Sequence, residues 1–141
     1  MNDMVQTRYK VLDASVIIKW FAKEEGSEKA FVYLDDHQKG LSSIIVPSLL
    51  YYELGNSLVT KRATKHQVSE VMEAMQALHL TIEQIGEKAF RKIFENASEY
   101  QITFYDAAYV TLMQKNNCEF ITADKKLYQK LHEKFAHIVL L

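Results

Sequence analysis

Apolar positions along the chain alternate between short compact runs and longer stretches with helical spacing. Residues 9–13 (YKVLD) form a first run that is partly alternating and reads as a strand, followed by a helical SVIIKWFA. Residues 26–39 place Ala30, Phe31 and Leu34 on one helical face. Residues 43–46 (SIIV) are a second strand closed by Pro47, the only proline, which suits the start of the next helix because its missing N–H costs nothing there. Helices are then expected over 48–62 and over 64–79, where Val68, Val71, Met72, Met75 and Leu78 share a side. A short strand at 80–85, helices at 87–99 and 105–116, a strand at 119–122 (EFIT), a helix at 124–135 and a terminal strand at 137–141 complete the pattern. Strands separated by one or two helices predict an α/β fold with a central, mostly parallel five-stranded sheet. Right-handed crossovers then put helices on both faces. In such sheets ligands bind at the carboxyl ends of the strands, where the strand order reverses.

Composition narrows this picture. At 141 residues, with no repeat or change of composition along its length, the chain reads as one domain over 1–141. Proline and glycine together number only five, which disfavours a turn-dense all-β chain and favours long helices. Cys118 is the only cysteine, so an internal disulfide is excluded and a reducing, cytoplasmic setting is expected. No apolar run is long enough to span a membrane, and the first ten residues show no apolar leader segment.

The strand ends carry acids. Asp13 ends the first strand in VLDAS, Asp124 follows the fourth in FITADKK, and Asp106 opens a helix in ITFYDAAYV. Each taken singly is a favoured helix cap or first-turn residue. If the first and fourth strands are neighbours across the switch point, their terminal carboxylates converge. Glu53 is the most telling acid. It lies within VPSLLYYELGNSLV and shares a narrow helical face with Asn56, Ser57 and Thr60. A solvated helix usually places Lys or Arg three or four residues from a Glu, and here those positions are Asn56 and Ser57.

Four carboxylates in one crevice repel and raise each other's pKa unless a cation neutralises them. Oxygen-only ligation suits Mg²⁺ or Mn²⁺ rather than zinc. The five histidines show no paired ligand spacing, and Cys118 reads as a small core residue. Phosphate-loop, dinucleotide-binding and serine-hydrolase signatures are missing. A carboxylate-held Mg²⁺ that keeps several waters suits phosphoryl chemistry, in which a deprotonated water attacks a phosphodiester in line.

Four segments, DAS with a Trp five residues past the serine, PSLLYYELGNSL, ITFYDAAYV and FITADKKL, together make the chain resemble PIN-domain ribonucleases, and among them the VapC-type toxins of toxin–antitoxin pairs. The resemblance spans nearly the whole length. It implies a five-stranded parallel sheet in the order 3-2-1-4-5 between helices, and metal-dependent endoribonuclease activity leaving a 5′-phosphate and a 3′-hydroxyl. By position, Asp13, Glu53 and Asp106 match the family's principal acids and Asp124 its fourth. Asp13 and Asp106 are expected as direct Mg²⁺ ligands, with Glu53 and Asp124 acting through water or on a second ion. Ser15 and Thr122 match hydroxyl positions around the metal, and Asn56 matches a polar residue of the Glu helix. A homodimer and an inhibitory antitoxin whose C-terminal segment lies in the groove are implied as well.

An RNA substrate requires cations beside the acids. Lys19, Lys61, Arg62, Lys65, Lys125 and Lys126 are the candidates. Trp20, Phe21, Tyr51, Tyr52, Phe104 and Tyr105 read first as packing residues and second as stacking platforms for an unpaired base. Val68, Met72 and Met75 serve equally as core or as a partner surface. A receiver domain lacks its acidic pair here, a DxD phosphatase fails because position 15 is Ser, and a silent PIN-like binding module has no use for four acids. An RNA-processing nuclease outside any toxin pair stays open. The net charge of −1 conceals the placement of charge: 18 acids less the four of the crevice leaves 14 against 17 bases, or +3 elsewhere.

Overall fold

The computed structural model describes residues 8–141; part of the N-terminal segment read above for a leader, residues 1–7, lies outside the described residues. Five strands, β1 (Tyr9–Leu12), β2 (Ser43–Pro47), β3 (Thr81–Glu83), β4 (Glu119–Thr122) and β5 (Ile138–Leu140), form a parallel sheet in the order β3-β2-β1-β4-β5. Among the described residues seven helices flank it: α1 (Ala14–Ile17), which runs into a 3-10 turn at Ile18–Trp20, α2 (Ser27–Gln38), α3 (Leu49–Thr60), α4 (Lys65–Leu78), α5 (Glu87–Tyr100), α6 (Phe104–Asn116) and α7 (Lys125–Leu131). The expected α/β sheet and its order are both present.

The inner strands bury apolar side chains on both faces, and their two-residue period sorts these into two cores. Val11, Ile45, Phe120 and Ile138 face α5, α6 and α7. Leu12, Ile44, Val46 and Ile121 face α1 to α4. The central strands β1 and β4 pair with Leu12 opposite Ile121, so the next residues, Asp13 and Thr122, meet at the carboxyl edge. His37 ties α2 to this sandwich: one ring nitrogen contacts the Leu78 carbonyl and the other accepts the Ile44 N–H.

Several boundaries differ from expectation. Pro47 is the last residue of β2 rather than the first of a helix; it lies opposite Glu83, and the next N–H, of Ser48, bonds the Glu83 carbonyl. The helix expected over 124–135 ends at Leu131, because Lys134 and Phe135 both turn back onto the Leu131 carbonyl. Asp106 does not open its helix: Thr103 caps it, accepting the Asp106 N–H, and leaves the aspartate side chain free of capping duty. On α4, Val71 and Met75 are buried while Val68 and Met72 stay partly exposed.

Candidate active site

Asp13 is the centre of the site. It follows β1 directly and caps α1 through the Ser15 N–H at 3.1 Å. The Ser15 hydroxyl donates to the same oxygen, Oδ1, while the Thr122 hydroxyl donates to Oδ2 at 2.6 Å. Ser15 Oγ in turn accepts the Ala123 N–H at 2.9 Å, and Thr122 Oγ1 accepts the Asp124 N–H at 3.1 Å. Both hydroxyls therefore link the end of β1 to the end of β4 and fix the carboxylate between them. Asp13 is only 6% exposed. Burial, with the neighbouring Glu53 and Asp106 adding to it, lifts its pKa to about 6 against the pull of the two hydroxyls.

Glu53 and Asp106 are half-buried, on α3 and α6. Burial raises the pKa of Glu53, a hydrogen bond from Tyr109 opposes the rise, and Asp106 adds to it. Burial also raises Asp106, with Thr103 opposing, Asp124 reinforcing and Lys130 opposing. Asp124 is exposed; its Oδ1 accepts the Lys126 and Leu127 N–H groups and caps α7. The sequence-predicted acids thus form a connected set in which Asp13 senses Glu53 and Asp106, and Asp106 senses Asp124. Among the described residues none of the four takes part in an ion pair.

Their chemistry fits a hard divalent cation: the donors are all oxygen, the deepest carboxylate is buried, and the acids raise one another's pKa. The side chains as placed are turned toward protein donors, and among the described residues no three His, Cys, Asp or Glu groups already converge tightly enough to grip an ion.

The remaining candidates scatter. Asn56 is exposed one turn beyond Glu53, where its backbone carbonyl accepts the Thr60 hydroxyl. Lys19 is not free for phosphate: its ammonium pairs with Glu24 at 3.2 Å and donates to the Glu25 carbonyl at 2.7 Å. Lys61 shares Glu24 at 3.4 Å. Arg62, Lys65, Lys125 and Lys126 are exposed and make no ion pair among the described residues. Tyr52 and Tyr105, each beside a site acid in sequence, are 81% and 61% exposed, against the packing role expected of them. Trp20 is buried and donates to the Ala30 carbonyl. Sequence reasoning missed Tyr109, fully buried three residues beyond Asp106, whose hydroxyl donates to Glu53 Oε1 at 2.7 Å. Burial and Glu53 push its pKa up, so it stays a donor.

The profile of the PIN domain matches residues 10–132. The chain belongs to the PIN-domain family. The PIN domain is 28% identical over 124 residues to Ribonuclease VapC3 of Pyrobaculum aerophilum, a match covering 85% of this chain and 92% of that protein. Its fold is shared with VapC20 of Mycobacterium tuberculosis, a toxin that cleaves the Sarcin-Ricin loop, at TM-score 0.64, 12% identity and coverage of 85% and 93%. VapBC2 of Rickettsia felis, solved with a DNA fragment of its promoter, superposes at TM-score 0.66 and 17% identity, covering 94% of this chain and 97% of that one. No helix among the described residues is long and apolar enough to cross a membrane.

Proposed function

We propose that this PIN domain is a Mg²⁺- or Mn²⁺-dependent endoribonuclease and the toxin of a toxin–antitoxin pair. The observation that carries the reading is Asp13: a buried carboxylate, oriented by two hydroxyls, facing two more acids with no ion-pair partner among the described residues. Such a cluster is electrostatically unfavourable alone and favourable around a divalent cation. The similarity to Ribonuclease VapC3 supports RNA as the substrate. Likeness of fold to a toxin–antitoxin complex supports a protein inhibitor as partner.

A bound divalent ion supplies Lewis acidity, making a water a better nucleophile at neutral pH and neutralising charge on the phosphodiester. Asp13 and Asp106 would hold it, and Glu53 and Asp124 would orient water or a second ion. Ser15 and Thr122 keep both oxygens of Asp13 aimed, which limits the reorganisation needed during the reaction. Arg62, Lys65, Lys125 and Lys126 counter the charge of the RNA backbone. Incubation of the purified protein with a structured RNA tests the reading. Cleavage is expected with Mg²⁺ or Mn²⁺, leaving 5′-phosphate ends that a phosphate-requiring exonuclease digests. Persistence of cleavage in EDTA would refute metal dependence. A neighbouring short reading frame whose product binds the chain and stops cleavage is expected for a toxin; its lack would favour an RNA-processing nuclease.

A further inference from the structure

We infer that Tyr109 is a positioning residue: its hydroxyl pins the Glu53 carboxylate in the orientation that serves a divalent cation in the crevice. The inference rests on the divalent-metal reading given above.

Glu53 is the acid with the least local support. Asp13 is fixed by Ser15 and Thr122, and Asp124 by the N–H groups of its own helix, whereas Glu53 projects from the middle of α3 on a side chain with three free torsions. A glutamate of this kind loses substantial rotamer freedom when it must hold one orientation. Tyr109 is built to impose that orientation. Its ring is fully buried and stacks on Phe120 of β4, centroids 5.8 Å apart and 9° from parallel, so the hydroxyl has a fixed location. That hydroxyl donates to Glu53 Oε1 at 2.7 Å, leaving Oε2 as the oxygen available to the crevice.

The placement also joins the parts of the site. Tyr109 lies one helical turn beyond Asp106 on α6. One O–H thus connects α6, which carries Asp106, to Glu53 of α3. Hydrogen-bond donors behind metal-binding carboxylates commonly change metal affinity by about ten- to a hundredfold when removed. A buried tyrosine that merely needed an acceptor for its O–H would show no such link to affinity.

The test compares wild type, Tyr109→Phe, Glu53→Gln and the double variant, measuring Mn²⁺ affinity from the electron paramagnetic resonance signal of free Mn²⁺ without RNA. The phenylalanine keeps the ring on Phe120. Tyr109→Phe is expected to weaken Mn²⁺ by about ten- to a hundredfold in the wild-type background and by less than twofold when Glu53 is already Gln. In RNA cleavage the same variant lowers kcat and leaves KM within about twofold, because the backbone-binding cations are untouched. Unchanged Mn²⁺ affinity with only a lower Tm, or an equal loss in the Glu53→Gln background, overturns the inference while leaving the metal reading intact. Should Tyr109→Phe fail to fold, Glu53→Asp withdraws the carboxylate by one methylene and leaves Tyr109 in place. It is expected to show the same loss of affinity, and wild-type affinity there overturns the inference. Absence of Mn²⁺ binding by wild type overturns both readings together.

Discussion

Replacing Asp13 by Asn removes a buried negative charge and changes how metal-free stability depends on pH. Asp13 titrates near 6 in the folded chain against an ordinary value of 3.8. The proton is therefore held more tightly by the folded state, which binds more protons than the unfolded state between about pH 4 and 6. Stability from this group is greatest below that window, falls as pH rises through it and stays low above it. Glu53 and Asp106, also raised, act in the same direction. Glu24 acts oppositely, since its pairs with Lys19 and Lys61 hold its pKa low and are lost as pH falls. A difference between wild type and Asp13→Asn isolates the buried group. A shift of this size corresponds to about 3 kcal/mol at full burial, at roughly 1.4 kcal/mol per pKa unit. An Asn keeps one acceptor for the Ser15 groups but turns an NH₂ toward Thr122, so the net gain at pH 7.5 is about 1–3 kcal/mol. For a chain of this length that is roughly 3–10 °C in Tm. Thermal melts of both proteins in EDTA, from pH 4.5 to 8, measure it. The variant is expected to melt higher at pH 7.5, with the gap closing toward pH 5. A gap that stays constant across this range would refute the assignment of a penalty to the Asp13 charge.

Other consequences follow from the same geometry. Millimolar Mg²⁺ raises the Tm of wild type, by an amount corresponding to about 2.7 kcal/mol at a hundredfold excess over Kd, and leaves an Asp13→Asn/Asp106→Asn variant unmoved; scanning calorimetry checks both. Thr122→Val deprives Asp13 Oδ2 of its donor. It is expected to lower RNA cleavage by about ten- to a hundredfold in steady-state kinetics while the protein remains folded by circular dichroism. Alanine at Lys65, Lys125 or Lys126 weakens single-stranded RNA of any sequence and reduces the slope of log K against log salt by about 0.7 each, measured by fluorescence anisotropy. Lys19→Ala, its charge already paired with Glu24, leaves that slope unchanged.

What was legible in the sequence follows the strength of local signals. The sheet was readable because EFIT, SIIV and YKVL are compact runs bounded by polar residues, and a strand buried on both faces has no other pattern. The ends of β1 and β4 were legible as neighbours because both strands flank the switch point, although Asp124 was expected beside Asp13 and it is Thr122 that bonds it. Asp124 was placed inside a helix it only caps, since a capping Asp and a first-turn Asp look alike in one dimension. Pro47 misled because it closes a strand as readily as it opens a helix; only the Glu83 pairing from β3 decides between them. Lys19 looked free because Glu24 lies five residues away, outside the helical spacing for ion pairs, and the chain bend after the 3-10 turn brings them together. Tyr52 and Tyr105 were read as packing residues because aromatics beside apolar neighbours usually are; which side of a helix faces the sheet was the missing fact. Tyr109 was hidden for the opposite reason, amid the apolar AAYV. Its signal was an O–H with nowhere to go among buried alanines and valine, one turn from Asp106, because a buried tyrosine hydroxyl must find a partner.

Cleavage of one structured RNA by wild type and by Asp13→Asn/Asp106→Asn, titrated with Mn²⁺ in parallel, tests the central claim most directly. Wild type is expected to cleave in proportion to its Mn²⁺ occupancy and the variant to stay inactive at every concentration, though folded. Equal cleavage by the two proteins would contradict the assignment of the acid crevice as the catalytic centre.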